Sequence, residues 1–122
     1  MAALIAIKSK EGLDELFATA KELKKSIYGN RIVLFAPLYI GNYCINNCKY
    51  CGFRSTLNTT VRHTLSQQEL EDEIVALENE GHKRLILVYG EHPKYTPEFI
   101  AQTVKTAYSV KSGNGEIRRV NI

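Results

Sequence analysis

The sequence predicts an α/β fold whose strands run parallel, in an open sheet or a barrel. Short continuous apolar runs, typical of strands buried on both faces, alternate with longer segments whose apolar residues recur at helical spacing. Helices of this length between strands imply right-handed parallel crossovers. The order helix, β, α, β, α, β suggests an N-terminal helical segment over residues 1–30 and an incomplete parallel (βα) core over residues 31–122.

The first half of this order follows from an apolar stripe and one apolar run. The stripe predicts an amphipathic helix that ends at Gly29 and Asn30. Its members are Leu13, Leu16, Phe17, Ala20, Leu23 and Ile27. The run at residues 32–35 predicts the first strand, and a polar loop from Ile40 to about Thr60 follows it.

Capping signals define the second half. Ser66 and Glu69 have the spacing of a capping box, before a helix that Gly81 ends. Residues 84–89 predict the second strand. Thr96 and Pro97 begin a further helix, with Ile100, Val104, Ala107 and Tyr108 facing inward, and residues 112–115 end it. Residues 117–122 predict a third strand, without a helix to cover it, so we expect a chain that stops in mid-fold.

Composition and charge exclude several classes of function. The 122 residues include 16 basic and 13 acidic side chains, dispersed along the predicted helices, which indicates a solvated surface and no nucleic-acid interface. No apolar run approaches the roughly 20 residues that cross a bilayer. The apolar residues 2–7 are too few for a secretory leader. We therefore expect a cytoplasmic protein with no membrane partner.

The cysteines are the strongest functional signal. Cys44, Cys48 and Cys51 form the pattern C-x3-C-x2-C on the polar loop, and an odd, clustered set argues against disulfides. Three thiolates can hold three irons of a cubane and leave the fourth iron open. The alternative is a small zinc-binding module, whose structural site closes with four ligands. Three histidines could supply the fourth zinc ligand: His63, His82 and His92.

Three more residues are candidates for ligand binding. Tyr50 precedes the last cysteine and could stack on a planar group, or it could be a half-buried aromatic that orders the loop. Gly90 follows the second strand and would let a ligand approach the backbone. Glu91 could receive an ammonium group, or it could be a solvated turn residue.

The cysteine pattern, the aromatic residue before its last cysteine and the glycine–glutamate pair together resemble the radical SAM superfamily. The resemblance implies a partial radical SAM (βα) barrel in which Cys44, Cys48 and Cys51 ligate a 4Fe-4S cluster. It implies that the open iron is chelated by S-adenosylmethionine (SAM), with Gly90 and Glu91 at the methionyl amine and Tyr50 against the adenine. The reduced cluster of this family cleaves SAM to methionine and a 5′-deoxyadenosyl radical, which abstracts hydrogen from the substrate.

Flanking segments are similar to one branch of that superfamily, the tyrosine lyases. These segments are residues 27–39, 42–44, 81–84, 105–111 and 117–122. The resemblance implies an intact enzyme that cleaves the Cα–Cβ bond of L-tyrosine and releases p-cresol, with CO and cyanide then formed for FeFe-hydrogenase maturation. The thiazole-biosynthesis tyrosine lyases, which form dehydroglycine, are the alternative. An electron donor such as flavodoxin or ferredoxin is implied. We expect the tyrosine-binding residues on later strands, so no catalytic residue is assigned, and we expect this chain alone to be inactive.

Overall fold

The computed structural model describes residues 2–113 and 115–122, in two units that meet in sequence between Val33 and Leu34. The first unit contains α1 (Ala2–Ile5) and α2 (Lys10–Tyr28). The Ser9 side chain caps α2 by accepting a hydrogen bond from the Gly12 amide at 3.2 Å. Gly29 ends α2 with φ of 59°, a conformation that favours glycine. The predicted helix is therefore confirmed, and no residue of Lys10–Tyr28 is buried.

The second unit is a parallel sheet with helical crossovers. It contains β1 (Ala36–Gly41), α3 (Gln67–Asn79), β2 (Arg84–Tyr89), α4 (Pro97–Ser109), a hairpin of β3 (Lys111–Ser112) and β4 (Gly115–Glu116), and β5 (Arg119–Asn121). The sheet order is β1-β2-β5, and both pairings are parallel. The predicted β-α-β-α-β order with parallel strands is therefore confirmed.

The two crossover helices begin where the sequence predicts. The Ser66 side chain accepts from the Glu69 amide at 3.3 Å, and the Glu69 carboxylate accepts from the Ser66 amide at 2.7 Å, which completes the capping box of α3. The Thr96 side chain accepts from the Phe99 amide at 3.2 Å at the start of α4, where Pro97 occupies the first turn. Gly81, with φ of 94°, follows α3.

The core lies between one face of the sheet and α3 and α4. Alternate strand residues are buried there, as strand geometry requires. The buried members are Ala36, Leu38, Ile40, Leu85 and Leu87 from the strands, with Leu70, Ile74, Ala107 and Ile117 from the rest of the unit. Residues of the opposite strand face are more open: Tyr39 is 57% exposed, and Ile86 and Val88 are partly exposed. One face of the sheet is thus packed and the other is accessible.

The first strand lies four residues later than predicted. Ile32, Val33, Leu34 and Phe35 precede β1 and are 52–78% exposed, so the continuous apolar run is not the strand. β1 instead begins at Ala36, and its residues alternate between buried and exposed positions. Pro37 occupies one of the exposed positions, and a proline is a weak strand signal in the sequence. Proline donates no backbone hydrogen bond, and it is tolerated because β1 is an edge strand of the three-stranded sheet.

The last predicted elements also differ from the structure. α4 ends at Ser109, and β3 and β4 pair antiparallel where the sequence predicts only the end of the helix; position 114 of that predicted end lies outside the described residues. The third sheet strand is shorter than predicted, Arg119–Asn121. Tyr108 is 45% exposed, whereas Thr103 and Thr106 occupy the core side of α4. In the part of the chain that the structure describes, no helix is long and apolar enough to cross a membrane.

Candidate active site

The loop that carries the cysteines leaves the carboxyl end of β1 and returns to it. The Asn42 amide donates to the His63 carbonyl at 3.1 Å, and the His63 amide donates to Asn42 Oδ1 at 2.8 Å. Asn42 Nδ2 donates to the Val61 carbonyl at 2.7 Å. Residues 42 and 61–63 therefore form a hydrogen-bonded neck that closes the loop at its base.

A buried tyrosine hydroxyl joins the two limbs of this neck. The Tyr43 amide donates to the Tyr95 hydroxyl at 3.2 Å, and that hydroxyl lies 3.0 Å from Thr64 Oγ1. A Cβ on Gly41 would overlap the Tyr95 hydroxyl, which explains the glycine at the end of β1. The Tyr95 ring packs against Tyr89 and Phe99. The start of the loop is therefore anchored on a packed aromatic cluster.

The three cysteines are free thiols on this loop. Cys44 and Cys51 are partly exposed, and Cys48 is exposed. The Cys51 amide donates to the Cys48 carbonyl at 3.0 Å, which makes a tight turn between the last two cysteines. Cys51 Sγ accepts a hydrogen bond from the Phe53 amide at 3.4 Å.

The turn after β2 is bonded directly to the cysteine loop. The Ile45 amide donates to the Glu91 carbonyl at 2.8 Å, and Asn46 Nδ2 donates to Glu91 Oε2 at 2.5 Å. A Cβ on Gly90 would overlap the Tyr43 carbonyl oxygen and lie 3.1 Å from Cys44 Cβ. The structure thus brings Gly90 and Glu91 together with Cys44, at the ends of neighbouring parallel strands, where folds of this class bind ligands.

Some sequence-based interpretations of this region are wrong, and several residues were missed. Tyr50 is 93% exposed, so it is not a half-buried aromatic that orders the loop. Glu91 is exposed, but its carboxylate is held by Asn46, so it is more than a solvated turn residue. The space above Gly90 is taken by the loop backbone itself. Asn46 and Tyr95 could not be identified from the neighbouring sequence, because their hydrogen-bond partners are distant in sequence.

The histidines proposed for a zinc site lie in other contacts. His63 Nε2 is 3.1 Å from Glu69 Oε2, and His92 Nδ1 accepts from the Lys94 amide at 3.1 Å. His82 Nε2 is 3.9 Å from a Glu80 carboxylate oxygen. Among residues 2–113 and 115–122, no three Cys, His, Asp or Glu side chains are grouped so as to hold a metal ion. Within the described part of the chain, the three histidines therefore form no metal-binding group with the cysteines.

Comparison with known proteins decides the family. The family model of the radical SAM superfamily matches residues 38–122, which include the whole cysteine loop, β2 and the turn after it. The chain belongs to the radical SAM superfamily. A crystal structure of HydG, a maturase of the [FeFe]-hydrogenase, superposes with a TM-score of 0.86 at 47% identity, covering 98% of this chain and 26% of that one.

Two curated relatives of this radical SAM chain have different names. The 2-iminoacetate synthase of Escherichia coli (strain K12) is 37% identical over 92 residues, 75% of this chain and 24% of its own length. The 3-methylornithine synthase of Methanosarcina barkeri (strain Fusaro / DSM 804) is 32% identical over 92 residues, 75% of this chain and 26% of its own length. The chain therefore spans about a quarter of the length of these relatives.

The superfamily implies a 4Fe-4S cluster and SAM, and the donors on the loop fit this cluster. Three free thiols lie on one loop, which matches the three protein ligands of a cluster with one open iron. One sulfur already accepts a backbone N–H, the kind of contact that tunes cluster sulfurs. Among the residues that the structure describes, the three sulfurs do not form a group that could hold a metal, so cluster binding would have to draw them together.

Proposed function

We propose that this chain carries the SAM-binding, radical-initiating part of a radical SAM tyrosine lyase of the HydG type. The observation that carries the proposal is the likeness to HydG, at 47% identity over 98% of this chain. Cleavage of the L-tyrosine Cα–Cβ bond, with release of p-cresol and formation of CO and cyanide, is the activity we assign to the intact enzyme.

In this proposal Cys44, Cys48 and Cys51 are the protein ligands of the cluster. A bound cluster would supply the electron that cleaves SAM and so generates the 5′-deoxyadenosyl radical. The chain itself constrains the loop that carries the sulfurs: the neck at Asn42 and His63 closes the base of the loop, and the Phe53 amide donates to Cys51 Sγ. Thiolates of this kind stay reduced in the cytoplasm, where we place the enzyme.

Gly90 and Glu91 are the proposed contacts of the SAM methionyl amine. Two observations support the role of Glu91: its backbone carbonyl accepts from the Ile45 amide, and its carboxylate accepts from Asn46, so Glu91 is tied to the cysteine loop. A carboxylate held in one orientation binds an ammonium group at a lower entropic cost. Tyr50, exposed beside Cys51, is available to cover the adenine.

Glu91→Gln tests the SAM contact separately from the cluster. Loss of a charge-assisted partner costs on the order of 1.5–3 kcal/mol, so we expect SAM to bind roughly 10- to 150-fold more weakly while iron and sulfide content stays unchanged. Isothermal titration of the reconstituted protein measures this. Equal SAM affinity in the variant would show that Glu91 does not bind SAM.

A thiazole-branch tyrosine lyase is the second candidate, because the chain is also 37% identical to a 2-iminoacetate synthase. Both candidates take L-tyrosine, an electron donor such as flavodoxin or ferredoxin, and SAM. The intact enzyme, supplied with SAM, reductant and L-tyrosine, should form 5′-deoxyadenosine and p-cresol. CO and cyanide among the products support the HydG type, dehydroglycine alone supports the thiazole type, and absence of p-cresol contradicts both.

A further inference from the structure

Arg62 lies at the return limb of the cysteine loop, and its side chain crosses the loop. Its Nη1 donates to the Asn42 carbonyl at 2.5 Å and to the Phe53 carbonyl at 2.8 Å. Its Nη2 donates to the Arg54 carbonyl at 2.6 Å. The acceptors flank the cysteine triplet, since Asn42 precedes Cys44, and Phe53 and Arg54 follow Cys51.

The three acceptors are all backbone carbonyls, and they lie on two separate limbs. A planar guanidinium with five fixed N–H donors can satisfy three carbonyls at once, whereas a lysine ammonium is a point charge on a flexible stem. The neck bonds of Asn42 hold only the base of the loop. Arg62 ties the limb after Cys51 to the residue that begins the loop. The Ser55 amide, which donates to the Asn46 carbonyl at 2.8 Å, ties the same limb to the stretch between the first two cysteines.

We propose that Arg62 is a positioning residue that holds the cysteine loop closed before the cluster binds. The inference rests on the proposed function, because positioning is defined here relative to cluster assembly. With the two limbs already joined, the cysteines start within one constrained segment. Less backbone entropy is then lost when the sulfurs are drawn together.

The test compares the whole chain with Arg62→Lys, Arg62→Gln and Arg54→Gln at low micromolar concentration. Arg54→Gln is the matched control: it removes the same charge from the same loop, but only one side-chain bond, from Arg54 Nη1 to the Lys49 carbonyl at 2.8 Å. Hydrogen–deuterium exchange of the cluster-free protein reports loop opening. Anaerobic reconstitution, followed by iron and sulfide content over time, reports cluster assembly.

Both Arg62 variants should exchange the amides of residues 51–57 about 10- to 100-fold faster, because charge-assisted bonds are lost. Amides of β2 and α3 should be unchanged, which separates loop opening from unfolding. Both variants should also assemble the cluster more slowly than Arg54→Gln. If either Arg62 variant exchanged its loop amides and assembled the cluster at the wild-type rate, the role of Arg62 would be overturned and the proposed function would stand. A wild-type chain that takes up no iron and sulfide would overturn the proposed function, and the inference with it.

Discussion

Gly90→Ala should displace the cysteine loop, because there is no room for a methyl group between β2 and that loop. The new Cβ would lie 2.8 Å from the Tyr43 carbonyl carbon and 3.1 Å from Cys44 Cβ. Carbon atoms prefer separations of about 3.5–4.0 Å, so the Tyr43 backbone would have to move by roughly 1 Å. Gly90 is not among the described glycines with positive φ, so the expected cost is steric.

The movement would strain two hydrogen bonds at the base of the loop, one between the ends of β2 and β1 and one between the loop and the turn after β2. These are Gly90 N to the Gly41 carbonyl at 3.0 Å and Ile45 N to the Glu91 carbonyl at 2.8 Å. At about 0.5–1.5 kcal/mol net for each bond, the loss is about 1–3 kcal/mol, which is also the usual range for an overpacked site. We therefore expect the loop to bind a cluster about 5- to 150-fold more weakly.

Iron and sulfide content after limited reconstitution measures this loss, with thermal unfolding as the check on folding. Gly52→Ala is the control, since Gly52 lies between Cys51 and Phe53 and a Cβ there meets nothing within 4 Å. Gly52→Ala should load as the wild type does. Equal loading of the two variants would refute the steric role of Gly90.

Three further predictions concern the ligands, the neck and the cap. Each single cysteine-to-alanine substitution should abolish the oxygen-sensitive cluster, since an iron loses its only protein ligand, whereas Lys49→Ala should retain it; iron and sulfide assays check this. Tyr95→Phe leaves the Tyr43 amide without its hydroxyl partner and should cost about 1–3 kcal/mol in the free energy of unfolding, measured by urea titration. The hydrogen bonds from Ser66, with a smaller contribution from His63, lower the pKa of Glu69. Its stabilising contribution should therefore be present above the ordinary carboxyl pKa and disappear as the pH falls through the lowered pKa, in thermal melts at several pH values.

Controls make each of these predictions specific. Full iron and sulfide in any one cysteine variant would contradict the ligand assignment. Wild-type stability of Tyr95→Phe would contradict the stabilising role of the Tyr95 hydroxyl at the Tyr43 amide. For the cap, Glu69→Gln should lack the acid-dependent share of stability; parallel loss of stability in both proteins would exclude Glu69 as its source.

Local signals were sufficient for much of the fold. β2 occurs at residues 84–89 as predicted, because a short apolar run flanked by polar residues leaves few alternatives. The caps at Ser66 and Thr96 were predictable because each depends on residues within one turn. The prediction placed β1 too early because four apolar residues precede the strand. Those residues are exposed, and local hydropathy cannot predict exposure because it depends on which segments pack nearby.

The residues of the candidate site could be selected from the sequence, but the contacts between them could not. Cysteine spacing predicts the ligands, which remains a prediction. Gly90 and Glu91 were candidates for ligand binding because they follow the second strand, and the structure places Gly90 beside Cys44. Tyr95 and Arg62 were missed because each binds backbone groups that come close only after the strands have paired. The close approach of other residues to Gly41 and Gly90 could not be predicted either, since it depends on the path of a segment distant in sequence.

The most direct measurement is the inorganic content of the anaerobically reconstituted chain. If Cys44, Cys48 and Cys51 hold the cluster, the protein should contain iron and sulfide in equal amounts, in the ratio of one 4Fe-4S cluster per chain. It should also show an absorbance band near about 400 nm, typical of cysteine-ligated clusters. Addition of SAM should alter the spectrum of the reduced cluster, because the open iron gains a ligand. Stoichiometric zinc without sulfide, or a cluster whose spectrum ignores SAM, would contradict this assignment.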